Sequence, residues 1–283
     1  MAQAGTLAIQ PLVHYLLSEP RLILPPPLDW PLLASAFACL RALMYIGGDE
    51  ALDALENLIQ QGLGLTFEGG ALQEGWRHFD QEAYARRIVL PLSQGWTNMS
   101  FSDKPMTAIR TLAGFEHFTH ITTLRLGHCL KLKDIHALST LTQLEQLDII
   151  ECHVLKTITA LGSLPHLKRL YLNGCRRISD FTPLGKATEL ESLMAFECRE
   201  LTNLNWLRSL QRLEYLALLG CIHLQSTEGI TDLFNLKNLS LSDISTLTNT
   251  DMLAHLKALE TLSLGGCRHL QDISALATLS NLK

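Results

Sequence analysis

The sequence predicts an α/β repeat solenoid: a right-handed superhelix with a parallel concave sheet, preceded by a small, mainly helical N-terminal domain. Three observations predict it. Cys129, Cys152, Cys175, Cys198 and Cys221 are spaced by 23 residues, and Cys267 follows at twice that interval with Ile244 in the vacant position. Each of these positions is preceded by leucines at the same offsets. The first 97 residues lack the period and carry apolar residues at helical spacing instead. A fixed period of this size marks stacked repeats, and such chains present long surfaces suited to binding.

Aligned on the cysteine position, the residues eight, five and three before it are Ile121, Leu124 and Leu126 in the first copy and Leu144, Leu147 and Ile149 in the second. The pattern continues through Leu167, Leu170 and Leu172 to Leu259, Leu262 and Leu264 in the seventh. This pattern, L-x-x-L-x-L-x-x-C, resembles the leucine-rich repeat family over about residues 120–283. A second apolar set follows each cysteine position, such as Leu155, Leu161 and Leu164. Six residues after it stand Ile135, Ile158, Phe181, Leu204, Thr227, Thr250 and Ile273. The two threonines should leave copies five and six looser on the back. A buried leucine contributes roughly 1.5–3 kcal/mol, and no copy can bury its apolar face alone, so stacking is obligatory.

Five residues after each cysteine position come Asp134, Thr157, Asp180, Asn203, Ser226, Asn249 and Asp272. All are turn-forming or N-cap types, which predicts caps on a short helical turn of the convex side. The cysteines read as inward packing residues, small hydrophobes whose weak donors can face backbone carbonyls. Ile244 in their column favours packing over chemistry. Zinc would need paired spacing such as C-x-x-C, which is absent. No metal and no cofactor are expected. Unpaired buried thiols favour a reducing, cytoplasmic compartment.

Residues 1–97 read as a helical domain. Leu32, Leu33, Ala36, Leu40, Leu43 and Met44 define a helix over 31–46. Asp49 is placed to cap a second, with Ala51, Leu52, Leu55, Leu58 and Ile59 on one face, stopped by Gly62. The pair resembles one HEAT-type hairpin. An earlier helix is expected around Leu12–Leu17, set off by Pro25-Pro26-Pro27, and a partly helical stretch over 73–92. Leu112, Phe115 and Phe118 lie one period before Ile135, Leu138 and Leu141, so residues 98–120 read as a degenerate capping repeat. The repeat domain proper is 121–283. At its end Leu282 opens an eighth copy before Lys283. That predicts an uncapped edge, as in a piece of a longer protein whose remainder would meet the C-terminal end.

Side chains alternate along a strand, so residues six, four and two before the cysteine position face outward on the concave side. Ile150, Tyr171, Met194, Phe196, Tyr215 and Leu219 should form one apolar patch there. Arg125, Asp148, Arg169, Glu151 and Glu197 should rim it. Aromatics and methionine within a charged rim are the anatomy of a protein interface, so a protein ligand is expected on this face. Copies six and seven display small residues instead, among them Ser240 and Ser263.

Other classes are disfavoured. The net charge is −5, with ten acids and five bases in residues 1–97 and eighteen of each thereafter, so neither half has a nucleic-acid binder's basic excess. The loops after the cysteines do carry Lys131, Lys133, Arg176, Arg177, Arg199, Arg268 and His269, an edge open to an acidic partner, although a solvated rim is the plainer reading. No apolar run approaches the ~20 residues that cross a bilayer. Gly185-Lys186 with Thr188 fails as a phosphate loop because Asp180 occupies its first glycine. G-x-S-x-G and H-E-x-x-H are absent, the histidines are scattered, and Cys39 sits in an apolar helix.

The segment DISALATLSNL at 272–282 resembles the internalin-like class of bacterial leucine-rich repeats. A HEAT-like hairpin ahead of such repeats is similar to the C-terminal sensor of bacterial NACHT-type signalling ATPases. That resemblance implies ligand recognition by the repeats and restraint of an ATPase whose motif this chain lacks. The expectation is therefore a non-enzymatic protein-binding module. The enzymatic alternative is a ubiquitin-ligase-like effector, in which repeats select the substrate and a separate domain holds a catalytic cysteine.

Overall fold

The computed structural model describes residues 2–18, 30–61, 75–101 and 109–283. The chain divides into two compact units: Met1–Trp96 with Ala113–Phe118, and Thr97–Leu112 with Thr119–Lys283.

In the helical unit, α1 (Ala2–Ser18), α2 (Trp30–Ile46) and α3 (Gly48–Gln60) pack on one another. The apolar residues expected on one face of α3 are buried: Ala51, Leu52, Leu55 and Leu58, with Leu40, Leu43 and Met44 of α2. Asp49 is not the cap. Gly47, with φ of 66°, ends α2 and starts α3 within one residue, so Asp49 falls in the first turn. There its charge still complements the helix N-terminus. α1 runs well beyond the expected Leu12–Leu17 and carries Pro11 inside it. The proline triplet and Gly62 lie outside the described residues. A further helical stretch begins with α4 (Gln81–Tyr84), widens to π geometry over Ala85–Val89 and closes with α5 (Leu90–Leu92). Arg87 of its π turn reaches α3, donating to Glu56 at 2.7 Å and to Asp53 at 2.5 Å. The segment 113–118 joins this unit because Phe115 packs at a tilt on Trp76, with centroids 5.4 Å apart, while Phe118 meets Phe115 edge to face at 5.6 Å.

The second unit is a repeat solenoid built on one sheet of eight parallel strands in chain order. They are β1 (Asn98–Phe101), β2 (Thr123–Gly127), β3 (Gln146–Ile150), β4 (Arg169–Asn173), β5 (Ser192–Phe196), β6 (Tyr215–Leu219), β7 (Asn238–Ser242) and β8 (Thr261–Ser263). The register advances by one period per strand, so Leu124, Leu147, Leu170, Leu193, Leu216, Leu239 and Leu262 stand in a single column. All but the last are buried. β1 pairs with β2 in the same sense, placing Met99 beside Leu124. Asn98, which interrupts the leucine pattern, opens that strand without stopping it, because an outward position tolerates a polar side chain.

Two features of each copy set its return path. On the back lies a 3-10 helix, five residues long in most copies, such as His136–Thr140 and Thr182–Lys186. It shortens to Glu228–Ile230 and Asp251–Leu253 in copies five and six, where Thr227 and Thr250 stand. Thr250 is buried with its hydroxyl unpartnered. The polar residues expected as caps work one position earlier than an N-cap. Each accepts the backbone N–H two residues on: Asp134 from His136 at 3.3 Å, Asp180 from Thr182 at 2.9 Å and Asp272 from Ser274 at 2.8 Å. Thr157, Asn203, Ser226 and Asn249 do likewise. These are Asx- and Ser/Thr-type turns.

The other feature is a corner just before the cysteine position. All seven residues there adopt positive φ: His128, Glu151, Gly174, Glu197, Gly220, Asp243 and Gly266. The corner aims each amide along the solenoid. His128 donates to Ile150 at 2.7 Å, Glu151 to Asn173 at 2.7 Å and Glu197 to Leu219 at 2.8 Å. Only three of the seven are glycine, so the sequence gives little hint of the conformation. Gly220 isolates its cost, because an added Cβ would meet Glu197 Cγ at an ordinary 3.6 Å. Gly220→Ala should therefore lower stability by about 1 kcal/mol in urea unfolding. Asp243→Gly should change it by less than about 0.5 kcal/mol, since relief at the corner offsets glycine's larger unfolded-state entropy. Equal stability of Gly220→Ala and the parent would refute the corner.

Candidate protein-binding surface

The outer face of the sheet carries three rows, fixed by the strand register. The middle row runs Arg125, Asp148, Tyr171, Met194, Ala217, Ser240 and Ser263. One flanking row includes Ile150, Asn173, Phe196, Leu219 and Ser242, and the other Gln146, Arg169, Ser192, Tyr215 and Asn238. The candidate apolar residues therefore come together on β3 to β6. Tyr171 and Met194 are direct neighbours, as are Phe196 and Leu219. Tyr171 and Phe196 meet edge to face at 5.5 Å, a favoured aromatic geometry.

Exposure across the patch is graded. Ile150, Tyr171, Met194 and Phe196 are half-buried among themselves, while Tyr215 and Leu219 are exposed at 38% and 37%. Alanine at 217 is buried between taller neighbours. Beyond Tyr215 the small residues of β7 and β8 open a shallow groove of about 300 Å3, lined by Asn238, Ser240, Thr261 and Ser263.

The polar members are tied to one another. Arg125 pairs with Asp148 at 2.8 Å, and Asp148 is itself buried at 7% exposure. Gln146 donates to Asp148 at 3.2 Å and accepts from Arg169 Nε at 3.1 Å. Asn173 donates to the Tyr171 hydroxyl at 3.1 Å. At the corner edge, Glu151 meets His153 at 3.0 Å, and Glu197 binds Arg176 at 2.7 Å with Arg199 at 3.7 Å. On the N-terminal side Arg125, Asp148, Gln146 and Arg169 thus form one connected network, while the Tyr171 hydroxyl is held separately by Asn173.

Behind the sheet the thiols follow the repeat. Cys129 donates to the Gly127 carbonyl at 3.6 Å, Cys152 to Ile150 at 3.6 Å and Cys198 to Phe196 at 3.7 Å. Cys175 and Cys221 also reach the preceding strand, at Ile149 (3.6 Å) and Ala195 (3.4 Å). Burial pushes the thiols of Cys175 and Cys198 up, and that of Cys221 to about 11. Cys267, in the last copy, is half-buried. Among the described residues, Glu82, Glu116 and His117 of the helical unit bring possible metal-ligating atoms within 4.8 Å of one another, and no ladder cysteine takes part.

A family model for the BspA-type leucine-rich repeat region, in six copies, matches residues 98–225 and 186–283. The chain belongs to the BspA-type leucine-rich repeat family. No curated protein matches the chain. Several solved structures share the fold. Internalin C2 of Listeria monocytogenes aligns at 24% identity and TM-score 0.53, covering 68% of this chain and 81% of that one. The leucine-rich repeat domain of the type III effector XopL aligns at 24% and 0.54, covering 69% of each. A leucine-rich repeat protein of Leptospira interrogans aligns at 18% and 0.51, covering 69% of this chain and 55% of that one. At these identities the likeness is one of fold. Leucine-rich repeat modules are in general non-enzymatic protein-binding units. Among the described residues no helix is long and apolar enough to cross a membrane.

The register of candidate residues was legible in the sequence, but two groups were not singled out. The positive-φ corners needed the backbone. Lys156 stands four after a cysteine position, where a table of that column would have found it, whereas Arg110 lies ahead of the first copy and carries no such signal.

Buried thiols imply a reactivity pattern. In the native protein a thiol reagent should modify at most Cys39 and Cys267, the two half-buried cysteines, and all seven only under denaturant. Stability should follow pH in one direction. An unfolded thiol ionises near 8.5, whereas Cys221 stays protonated to about 11. Its contribution is thus complete below pH ~8.5 and is lost as the pH rises toward 11. Urea midpoints taken across that window should fall, and more shallowly in Cys221→Ala.

Proposed function

We propose that the outer face of β3 to β6 binds a protein ligand, with Tyr171, Met194, Phe196, Tyr215, Leu219 and Ile150 as apolar anchors and Arg125, Asp148 and Arg169 as the polar rim. The observation that carries this reading is the register itself. It assembles six large apolar side chains on an open sheet face while the equivalent positions of β7 and β8 hold small polar residues. A structural role alone gives no reason for that asymmetry. Membership of a binding-module family supports the same conclusion.

The module fits a ligand-sensing or scaffold part of a larger cytoplasmic protein. The unpaired thiols in register support a reducing compartment. The helical pair α2–α3 preceding the repeats supports the narrower reading of a C-terminal sensor from a bacterial NACHT-type signalling ATPase. The gene's neighbourhood tests that: an adjoining phosphate-loop ATPase supports it, and its absence removes it.

The binding surface is tested once a partner has been captured from the source cell and purified. Tyr215→Ala and Leu219→Ala should each weaken its affinity about tenfold or more by calorimetry, with unfolding midpoints close to the parent's because both side chains are exposed. Tyr171→Ala and Phe196→Ala should weaken it as strongly but also lower stability, since the two rings pack on each other. Ser240→Ala and Ser263→Ala should stay within about twofold. Unchanged affinity in all four apolar variants places the site elsewhere.

A further inference from the structure

A second surface of the repeat unit stands out by its charge. Arg110, Lys131, Lys133, Lys156 and Arg177 line a groove of about 540 Å3, floored by Leu130 and Val154. All five cations are exposed, and Leu130 is an unusually open leucine at 39%. The lining holds one carboxylate, Asp134, which accepts the His136 amide at 3.3 Å. Among the described residues none of the five cations has a carboxylate within 4.0 Å. Elsewhere on the same unit several cations are paired along the solenoid: Lys168 with Glu145, Arg176 with Glu197, Arg208 with Asp232 and Lys237 with Glu214.

The repeat makes the concentration meaningful. Lys131 and Arg177 occupy the position two after the cysteine in copies one and three, and Lys133 and Lys156 the position four after it in copies one and two. From copy four onward those columns read Glu200, His223, Thr246 and His269, then Thr202, Gln225, Thr248 and Gln271, with no lysine or arginine. A merely solvated rim has no reason to gather its cations at one end. Neighbouring copies lie about 4.8 Å apart, so five positive charges gathered here repel one another and favour an anionic occupant.

We propose that this groove is a second binding site, separate from the outer face of the sheet, for an acidic protein segment that carries carboxylates and at least one aliphatic side chain. The cations would take the carboxylates, with the two arginines able to do so bidentately. Leu130 and Val154 would take the aliphatic group, as an apolar centre inside a polar ring. Nucleic acid fits less well because no aromatic side chain lines the groove to stack a base. A free phosphate is far smaller than the space and leaves the leucine unused.

The test uses the full chain and a short fluorescein-labelled peptide alternating glutamate with leucine, followed by anisotropy. Saturable binding that weakens as salt is raised is expected. Lys133→Glu combined with Lys156→Glu should weaken it about tenfold or more, and Leu130→Ser should weaken it measurably. Arg268→Glu, on the same edge of the seventh copy, should stay within about twofold. A glutamate-only peptide should bind less tightly than the alternating one. Urea midpoints confirm that each variant folds; Lys133→Gln with Lys156→Gln replaces the reversal if it does not. Absence of saturable binding at low salt, or an equal loss with Arg268→Glu, overturns the site. Displacement of the peptide by oligouridylate or inorganic phosphate at lower concentration than by unlabelled peptide overturns the assignment of its occupant.

Discussion

Every copy of the repeat is incomplete until the next is laid on it. A strand such as β4 has its backbone groups satisfied by β3 and β5, and its inward leucines are buried only between those of its neighbours. The corner amides and the row linking Glu145, Lys168, Glu191 and Glu214 through backbone bonds near 2.9 Å run in the same axial direction. Burial and hydrogen bonding are thus shared across each interface, and the rest of the structure depends on that sharing. It dictates an aliphatic residue, in most copies leucine, at the same offsets seven times and a compact residue at each cysteine position.

The same constraint shows where the packing departs from the repeat. Copies five and six place threonine where the others place an aliphatic or aromatic residue, and their 3-10 turns shorten accordingly. In the seventh copy Leu262, Leu264 and Leu270 are half-exposed and Ile273 is 57% exposed. A leucine leaves water entirely only when a neighbouring copy packs on each side of it.

Function is left to the columns that stacking does not use. The middle row of the outer face passes from Asp148 through Tyr171 and Met194 to Ser240 and Ser263 without disturbing the leucines behind it. The loops beyond the cysteines vary from lysine to glutamine on equal terms. An internal position is held to one size and polarity by close packing. An external one is free to follow a partner, and the two surfaces inferred here lie on such columns.

The sequence by itself determined the repeat, its period, the inward leucines and thiols, and the outward phase of the side chains from Arg125 to Leu219, because a strand's alternation and a fixed period convert position directly into direction. It also marked the turn residues Asp134 to Asp272, though their place one residue ahead of the N-cap emerged only from the backbone. The tertiary structure decided what depends on distance between copies: the burial of Asp148 beneath Arg125, the packing of Tyr171 against Phe196, and the gathering of Arg110 with Lys156 and Arg177 around one groove. It also decided the positive-φ corner shared by His128, Glu151, Glu197 and Asp243 with three glycines. Those side chains share no local preference strong enough to announce the conformation. It is imposed by the amide each must present to the next strand.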